Sequence, residues 1–317
     1  MELIKNSINW SDSRTIRVGI WIVALTFAVV VCVGCGDPDA TKPAIAQFRV
    51  VTDDLGRSVK LPMRTERAVS LAPSLTEAIF AAGAGDRLIG DTTYCNYPPE
   101  AQAIAKVGDT QTPNIEAIVA LKPQVVFVTT ASQLESFTRT LDEQGIAVFV
   151  TNPKSMDDVV RNLRQFGDIF GTLEQAEKTS ASLNQRIAEQ RRTADELASH
   201  PRVFLQISNE PLFTIGKDSF LNQVIEYAGG KSVTRDVATA FPKLSKETAL
   251  ALNPEVIILS DSDDNREPNA VFSNSPAVRN GRVYRINADI ISRPGPRLVD
   301  AMEEISRDIR GQARENE

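Results

Sequence analysis

Histidine is nearly absent: the 317 residues hold one, His200. A single imidazole excludes multi-histidine zinc sites and leaves His200 as the one histidine base any serine or cysteine nucleophile could use. His200 itself directly precedes Pro201 at the end of a polar stretch and reads as a solvated terminal residue. Cysteine is scarce as well, with three in the chain, and two of them, Cys32 and Cys35, lie in the N-terminal segment. Cys95 is left without an intramolecular partner, which excludes a disulfide scaffold. Aromatic residues make up 6% of the chain, and both tryptophans, Trp10 and Trp21, precede Cys35. Net charge is −6 with no run of lysine and arginine, so there is no phosphate-binding stripe for nucleic acid. No Gly-x-Ser-x-Gly elbow and no phosphate-loop lysine motif occurs, and Gly83-Ala-Gly85 lacks the third glycine of a dinucleotide site and reads as a helix stop. The acidic run 261–264 lacks the glycine and the terminal glutamate of an EF-hand loop. Neither a cofactor nor a metal site is expected, and the chain is not read as an enzyme. The enzymatic alternative, an exported α/β hydrolase, would have to work with carboxylate or lysine chemistry.

What is present starts with Arg14 and Arg17, an apolar run over 18–33, and Gly34-Cys35. A basic flank, a short apolar core and small residues at the cut are the marks of a secretory signal. The four residues Cys32-Val33-Gly34-Cys35 resemble the lipobox of bacterial lipoproteins, with cysteine where that motif usually carries an aliphatic residue. The resemblance implies lipid on Cys35 and a membrane anchorage through it. Residues 1–34 are therefore read as a signal peptide and 35–47, small, polar and proline-containing, as a flexible lipidated tether. An uncleaved helix is the alternative, since the run is barely shorter than the ~20 apolar residues of a spanning helix. Either way the rest of the chain is expected outside the cytoplasm, on the periplasmic side.

Two valine-rich segments flank Thr-Asp-Asp-Leu-Gly over 52–56, a hairpin signal. From residue 68 short apolar runs alternate with amphipathic stretches: strands at 68–71, 88–90, 125–129 and 147–150, helices at 76–82, 114–121, 132–143 and 155–170. That alternation predicts an α/β layer with a mainly parallel sheet. Residues 173–199 contain no glycine or proline and few apolar positions, predicting one long, poorly amphipathic helix of about 40 Å, stopped by Pro201. Alternation then resumes, ending in a helix over 297–310. The fold class expected is α/β, two Rossmann-like lobes joined by a single long rigid helix. The boundaries are an N-terminal lobe over 48–171, a linking helix over 172–200, a C-terminal lobe over 201–312 and a polar tail over 313–317. A monomer is expected.

The lobes repeat each other locally. NIEAIVALKPQVVFV at 114–128 and SKETALALNPEVIIL at 245–259 each place a glutamate, Glu116 and Glu247, seven residues before a proline. Asn114 and Ser245 are candidate N-caps, which puts both glutamates at the second helical position. A carboxylate there is favoured by roughly 0.3–1 kcal/mol whatever its function, but an equivalent pair could also grip a two-fold partner through arginines. In open α/β sheets ligands bind beyond the carboxyl ends of the strands. Those loops carry Ser74, Tyr94, Tyr97, Thr129, Asn209, Asp289 and Arg293, with Phe213 and Phe241 in or near them. Aromatic walls with scattered polar groups suit a bulky small ligand, and for each residue alone ordinary loop packing serves as well.

Several stretches together resemble a known family. RAVSLAPSLTEAIFAAGAGD at 67–86, YCNYPPE at 94–100, KVGD at 106–109, RVFLQ at 202–206 and RPGPR at 293–297 look like the helical-backbone metal-receptor group. These are the substrate-binding proteins of ABC importers for vitamin B12, ferric siderophores and haem. The resemblance spans nearly all of 48–310. It implies two lobes on one rigid helix, high-affinity extracytoplasmic capture of a metal-containing small ligand, and delivery to a two-subunit permease with its ATPase. It also implies permease docking through one glutamate per lobe, at the positions of Glu116 and Glu247. In the vitamin B12 branch, which 94–100 resembles most, ligand-binding positions match Ser74, Tyr94, Phe213, Asp289 and Arg293, and Phe241 stands where that branch has tryptophan. Thr110 and Thr129 stand where further tryptophans are expected. A cobalamin-type corrinoid is the favoured ligand, with ferric siderophores and haem left open. A surface sensor using the same fold without transport is the remaining alternative.

Overall fold

The computed structural model describes residues 48–130 and 134–311; the export signal, Cys35, the tether and the tail from 313 fall outside them. The chain opens on a hairpin, β1 (Phe48–Thr52) and β2 (Ser58–Pro62), paired antiparallel. Its turn is held by buried Asp53, whose Oδ1 accepts from the N–H groups of Leu55 and Arg57. An Asx-type turn of this kind is what the Thr-Asp-Asp-Leu-Gly signal encodes.

The first sheet contains β3 (Ala68–Ser70), β4 (Leu88–Gly90), β5 (Val125–Thr129) and β6 (Ala147–Thr151), in the order β4-β3-β5-β6 and parallel throughout. Between and after its strands come α1 (Pro73–Ala81), α2 (Ile115–Leu121), α3 (Leu134–Glu143) and α4 (Met156–Phe170). Strand β5 is buried at Val125, Val126, Phe127 and Val128, as an apolar run sandwiched between helices must be. Phe127 forms the centre of an aromatic cluster, with ring centroids of Phe149, Phe166 and Phe170 at 5.6, 5.3 and 5.6 Å.

Helix α5 (Leu173–Asp195) follows, 23 residues long or about 34 Å. It stops four residues before the expected end. The chain leaves the helix axis after Glu196 so that Leu197 folds onto Gly229, where an added Cβ would lie 2.4 Å from the leucine Cδ1. His200 accordingly lies outside the helix, exposed, with Nδ1 3.1 Å from the Gly229 carbonyl. The buried positions of α5 are Ala176, Ser180, Leu183, Ile187 and Ala194, one narrow stripe at helical spacing. Ala176 packs where Gly167 of α4 gives room, since a Cβ on Gly167 would sit 2.4 Å from the alanine methyl.

The second sheet contains β7 (Arg202–Ser208), β8 (Phe213–Thr214), β9 (Lys231–Ser232), β10 (Val256–Asp261) and β11 (Val283–Asn287). Its order is β11-β10-β7-β8 with β9 also beside β7; β8 runs antiparallel to β7 and the other pairings are parallel. Helices α6 (Leu221–Tyr227), α7 (Lys246–Leu252), α8 (Pro276–Arg279), α9 (Ala288–Ile291) and α10 (Leu298–Ile309) complete it. One apolar core runs from Phe127 and Leu163 in the first half through Leu183 and Ile187 of α5 to Val203, Leu205 and Ile305 in the second. The two lobes thus share buried surface through the linking helix. Arg186 of α5 adds a polar tie to α10, donating to Glu303 at 2.8 Å and to Asp300 at 2.6 Å.

Candidate functional site

The loops beyond the carboxyl ends of β3 and β4 meet those beyond β11. At the centre is Glu77, on α1 and 97% buried. A carboxylate taken out of water needs charged partners, because its desolvation otherwise outweighs what packing returns. Glu77 has two. Arg297 grips it bidentately, Nε to Oε2 at 2.9 Å and Nη2 to Oε1 at 2.6 Å, and Arg293 Nη1 reaches Oε1 at 3.1 Å. Arg293 also donates to Asn96 Oδ1 at 2.8 Å, to the Tyr94 carbonyl and to Asp289, while Asn96 Nδ2 donates to Asp289 Oδ2 at 2.7 Å. The Arg297 guanidinium lies over the Tyr97 ring, 4.0 Å from its centroid. Two guanidinium cations face two carboxylates, so the cluster is balanced in charge.

Of the residues singled out from sequence, Ser74, Tyr94, Asp289 and Arg293 converge on this seam. Tyr94 keeps its side chain exposed and lends its backbone carbonyl. Ser74 is buried rather than exposed: Gly295 passes directly above it, and an added Cβ there would lie 3.5 Å from Ser74 Cα. Phe213 and Phe241 form a second group. Phe213 is bridged to Lys243, Thr214 donates to the Pro242 carbonyl, and Gly216 donates to the Ala240 carbonyl, so the loop bearing Phe241 is strapped along β8. Phe213 is half-buried and Phe241 exposed. Tyr97 and Asn96, from the loop over 94–100 expected to face a ligand, join the seam, whereas Glu77 and Arg297 are members of the site that no expectation from the sequence named individually. One signal was available for Glu77: a lone acid in SLTEAIFAA, an otherwise apolar helix, demands a buried partner.

Beneath the Tyr94–Tyr97 loop is a further polar cluster. Lys106 donates to Asp91 Oδ1 at 2.7 Å and to the Ala101 carbonyl at 2.9 Å, and it also reaches the Cys95 carbonyl. Burial pushes the Asp91 carboxyl up to about 6 despite that lysine, and the Cys95 thiol is raised by burial too.

Glu116 and Glu247 are built alike. Asn114 accepts from the Ala117 N–H and Ser245 from the Thr248 N–H, so each caps its helix and leaves the glutamate exposed at the second position. Backbone and Ser245 hydrogen bonds hold the Glu247 carboxyl below its ordinary value, so it is ionised at neutral pH. Among the described residues no cluster of three metal-ligating side chains occurs, and no helix is long and apolar enough to cross a membrane.

Comparison with known proteins places these features in a family. Residues 69–290 match the model of the periplasmic binding protein family. An uncharacterized ABC transporter substrate-binding lipoprotein of Bacillus subtilis, YvrC, is 31% identical over 307 residues, covering 92% of this chain and 97% of its own. A vitamin B12-binding protein of Vibrio cholerae is 30% identical over 247 residues, 77% of this chain and 89% of its own. The crystal structure of the periplasmic vitamin B12 binding protein BtuF of Vibrio cholerae superposes with a TM-score of 0.68 at 29% identity, covering 78% of this chain and 98% of that one.

Proposed function

Because the chain belongs to the periplasmic binding protein family, we propose that it captures a cobalamin-type corrinoid outside the cytoplasm and delivers it to an ABC importer, without covalent chemistry. The ligand sits between the lobes, against Tyr94, Phe213, Phe241 and the seam of Asp289 and Arg293. The charge balance of that seam carries the choice of ligand. Arg293 and Arg297 are already engaged by Glu77 and Asp289, so they offer no unpaired cation to the two carboxylates of a haem. A bulky ligand with an apolar body and a neutral, amide-rich rim fits such a surface, through buried area at about 25 cal/mol per Å² and hydrogen bonds to exposed loop groups. Similarity to vitamin B12-binding proteins supports the same reading. Ferric siderophores are the second reading, resting on the few aromatic residues of the chain and on Thr110 and Thr129.

The lipid on Cys35 holds the trap near its importer, which raises effective concentration without a new contact. Loaded lobes dock through Glu116 and Glu247 onto arginines of the two permease subunits, and the importer's ATP hydrolysis drives release. In a strain that needs external cobalamin and lacks its own binding protein, the chain is expected to restore growth on nanomolar vitamin. The double change Glu116→Arg with Glu247→Arg is expected to abolish that rescue while cobalamin affinity stays within about twofold. Rescue that survives the double reversal would refute docking, and no rescue by the wild-type chain would refute corrinoid delivery.

A further inference from the structure

The two exposed glutamates stand on helices of only seven residues each, α2 and α7. Helices so short are marginal by themselves, because nucleation is costly and few hydrogen bonds follow. Packing of Ile118 and Ala249 into the cores holds one face of each, and the two lobes fix the ends with the same set of parts. At the N-termini Asn114 and Ser245 cap. At the C-termini Lys122 and Asn253 adopt the left-handed conformation, with φ of 49° and 42°, and a proline follows each.

An arginine closes each set. Arg67, just before β3, donates Nη2 to the Leu121 carbonyl and Nε to the Lys122 carbonyl at 3.3 Å. Arg202, at the start of β7, donates Nη2 to the Leu252 carbonyl at 2.6 Å. Leu121 and Leu252 each lie five residues after their glutamate and end their helices. Both arginines are tied in turn. The Gln124 N–H donates to the Arg67 carbonyl at 2.9 Å and Gln124 Oε1 accepts from the Arg67 N–H at 3.1 Å. The Glu255 N–H donates to the Arg202 carbonyl at 2.9 Å and Glu255 Oε2 accepts from the Arg202 N–H at 2.8 Å. Both arginines are exposed, yet their guanidinium groups are directed at helix C-terminal carbonyls, where a cation opposes the negative end of the dipole and satisfies orphan acceptors. Two exposed arginines in equivalent places, in halves separated by α5, share one geometry.

We infer that Arg67 and Arg202 are positioning residues of the importer-docking surface: each fixes its helix to the sheet and so holds Glu116 or Glu247 in register with the other. The inference rests on the docking reading above. Neither arginine touches the partner; each lowers the ordering cost that docking would otherwise meet.

The test compares the mature wild-type chain with the double variant Arg67→Ala, Arg202→Ala. The probe is the permease–ATPase complex with which the wild-type chain supports uptake, held in nanodiscs. Affinity for it is expected to fall about tenfold, and amide exchange over 117–121 and 248–252 to quicken about tenfold, with other amides unchanged. Arg67→Lys with Arg202→Lys, which keeps the charge and loses the fork, is expected to recover part of both. Unchanged docking alongside faster exchange, or unchanged exchange, would overturn the inference; a purely stabilising role would lower the melting temperature and leave docking at low temperature untouched. If the double alanine variant fails to fold, the lysine pair and the single variants supply the same comparison. Glu116→Gln with Glu247→Gln is measured alongside. Loss of docking there, with none in the arginine variants, sinks this inference alone. No loss there sinks the docking reading, and exchange still judges the clamps.

Discussion

Asp91 is a carboxyl whose burial raises its pKa to about 6 even with Lys106 at 2.7 Å. A raised value means the folded state holds the proton more tightly than the unfolded one. The stability Asp91 contributes is therefore full below its ordinary value near 4 and lost as pH rises through about 6, by about 3 kcal/mol. Urea unfolding of wild type and Asp91→Asn between pH 4 and pH 7 checks this: the asparagine variant should gain on wild type by up to that amount across the window, and parallel curves would count against it. Glu77 is held by two guanidinium groups, those of Arg293 and Arg297. Replacing it by Gln leaves Arg293 and Arg297, both largely buried, short of a counter-charge. A loss of about 3 kcal/mol in unfolding free energy is expected, in line with breaking other buried ion pairs. This pairing was the least legible part of the sequence. SLTE and RPGPR were each recognisable, but their contact spans 220 positions, and no periodicity or local spacing encodes which distant arginine will meet which acid.

The helices and strands themselves were largely readable, because apolar runs bounded by caps and prolines have few alternatives. Asn114 and Ser245 illustrate this, as both were expected to cap and both do. Asn114→Ala and Ser245→Ala should each cost about 1 kcal/mol in stability, read by thermal or urea unfolding. Helix α5 ends four residues short of the expected stop, since proline at 201 is a visible stop whereas the packing of Leu197 against Gly229, which draws it off the axis, is a tertiary feature. The small-residue stripe of α5 was also faint in the sequence. Alanine and serine at buried positions give little hydrophobic signal, although they let α4 and α5 approach. Gly167→Ala would force a methyl to within 2.4 Å of Ala176, and a loss of about 1–3 kcal/mol from overpacking is expected in the same assay.

For the molecule as a whole, the apolar core continuous through Leu183 and Ile187 argues for lobes that move little. Unfolding should follow one cooperative transition, and Leu183→Ala, expected to cost about 2–5 kcal/mol, should lower it as a unit rather than split it into two. On the capture reading proposed above, a ligand would have to be admitted by a small movement of the lobes rather than a wide closure. The overall architecture was legible from the change of pattern at residue 173 and from the repeated Glu-to-Pro units. The ligand was not, because cleft shape depends on side-chain positions that one chain does not display. The most direct test of the account is equilibrium dialysis of the folded region 48–311 against cyanocobalamin, with hemin and ferric siderophores in parallel cells and ligand absorbance as readout. One-to-one binding of cyanocobalamin with a Kd of about 1 µM or tighter, and at least about tenfold weaker binding of hemin, is the predicted result. No cyanocobalamin bound at about 100 µM, with hemin or a ferric siderophore taken up stoichiometrically, would contradict it.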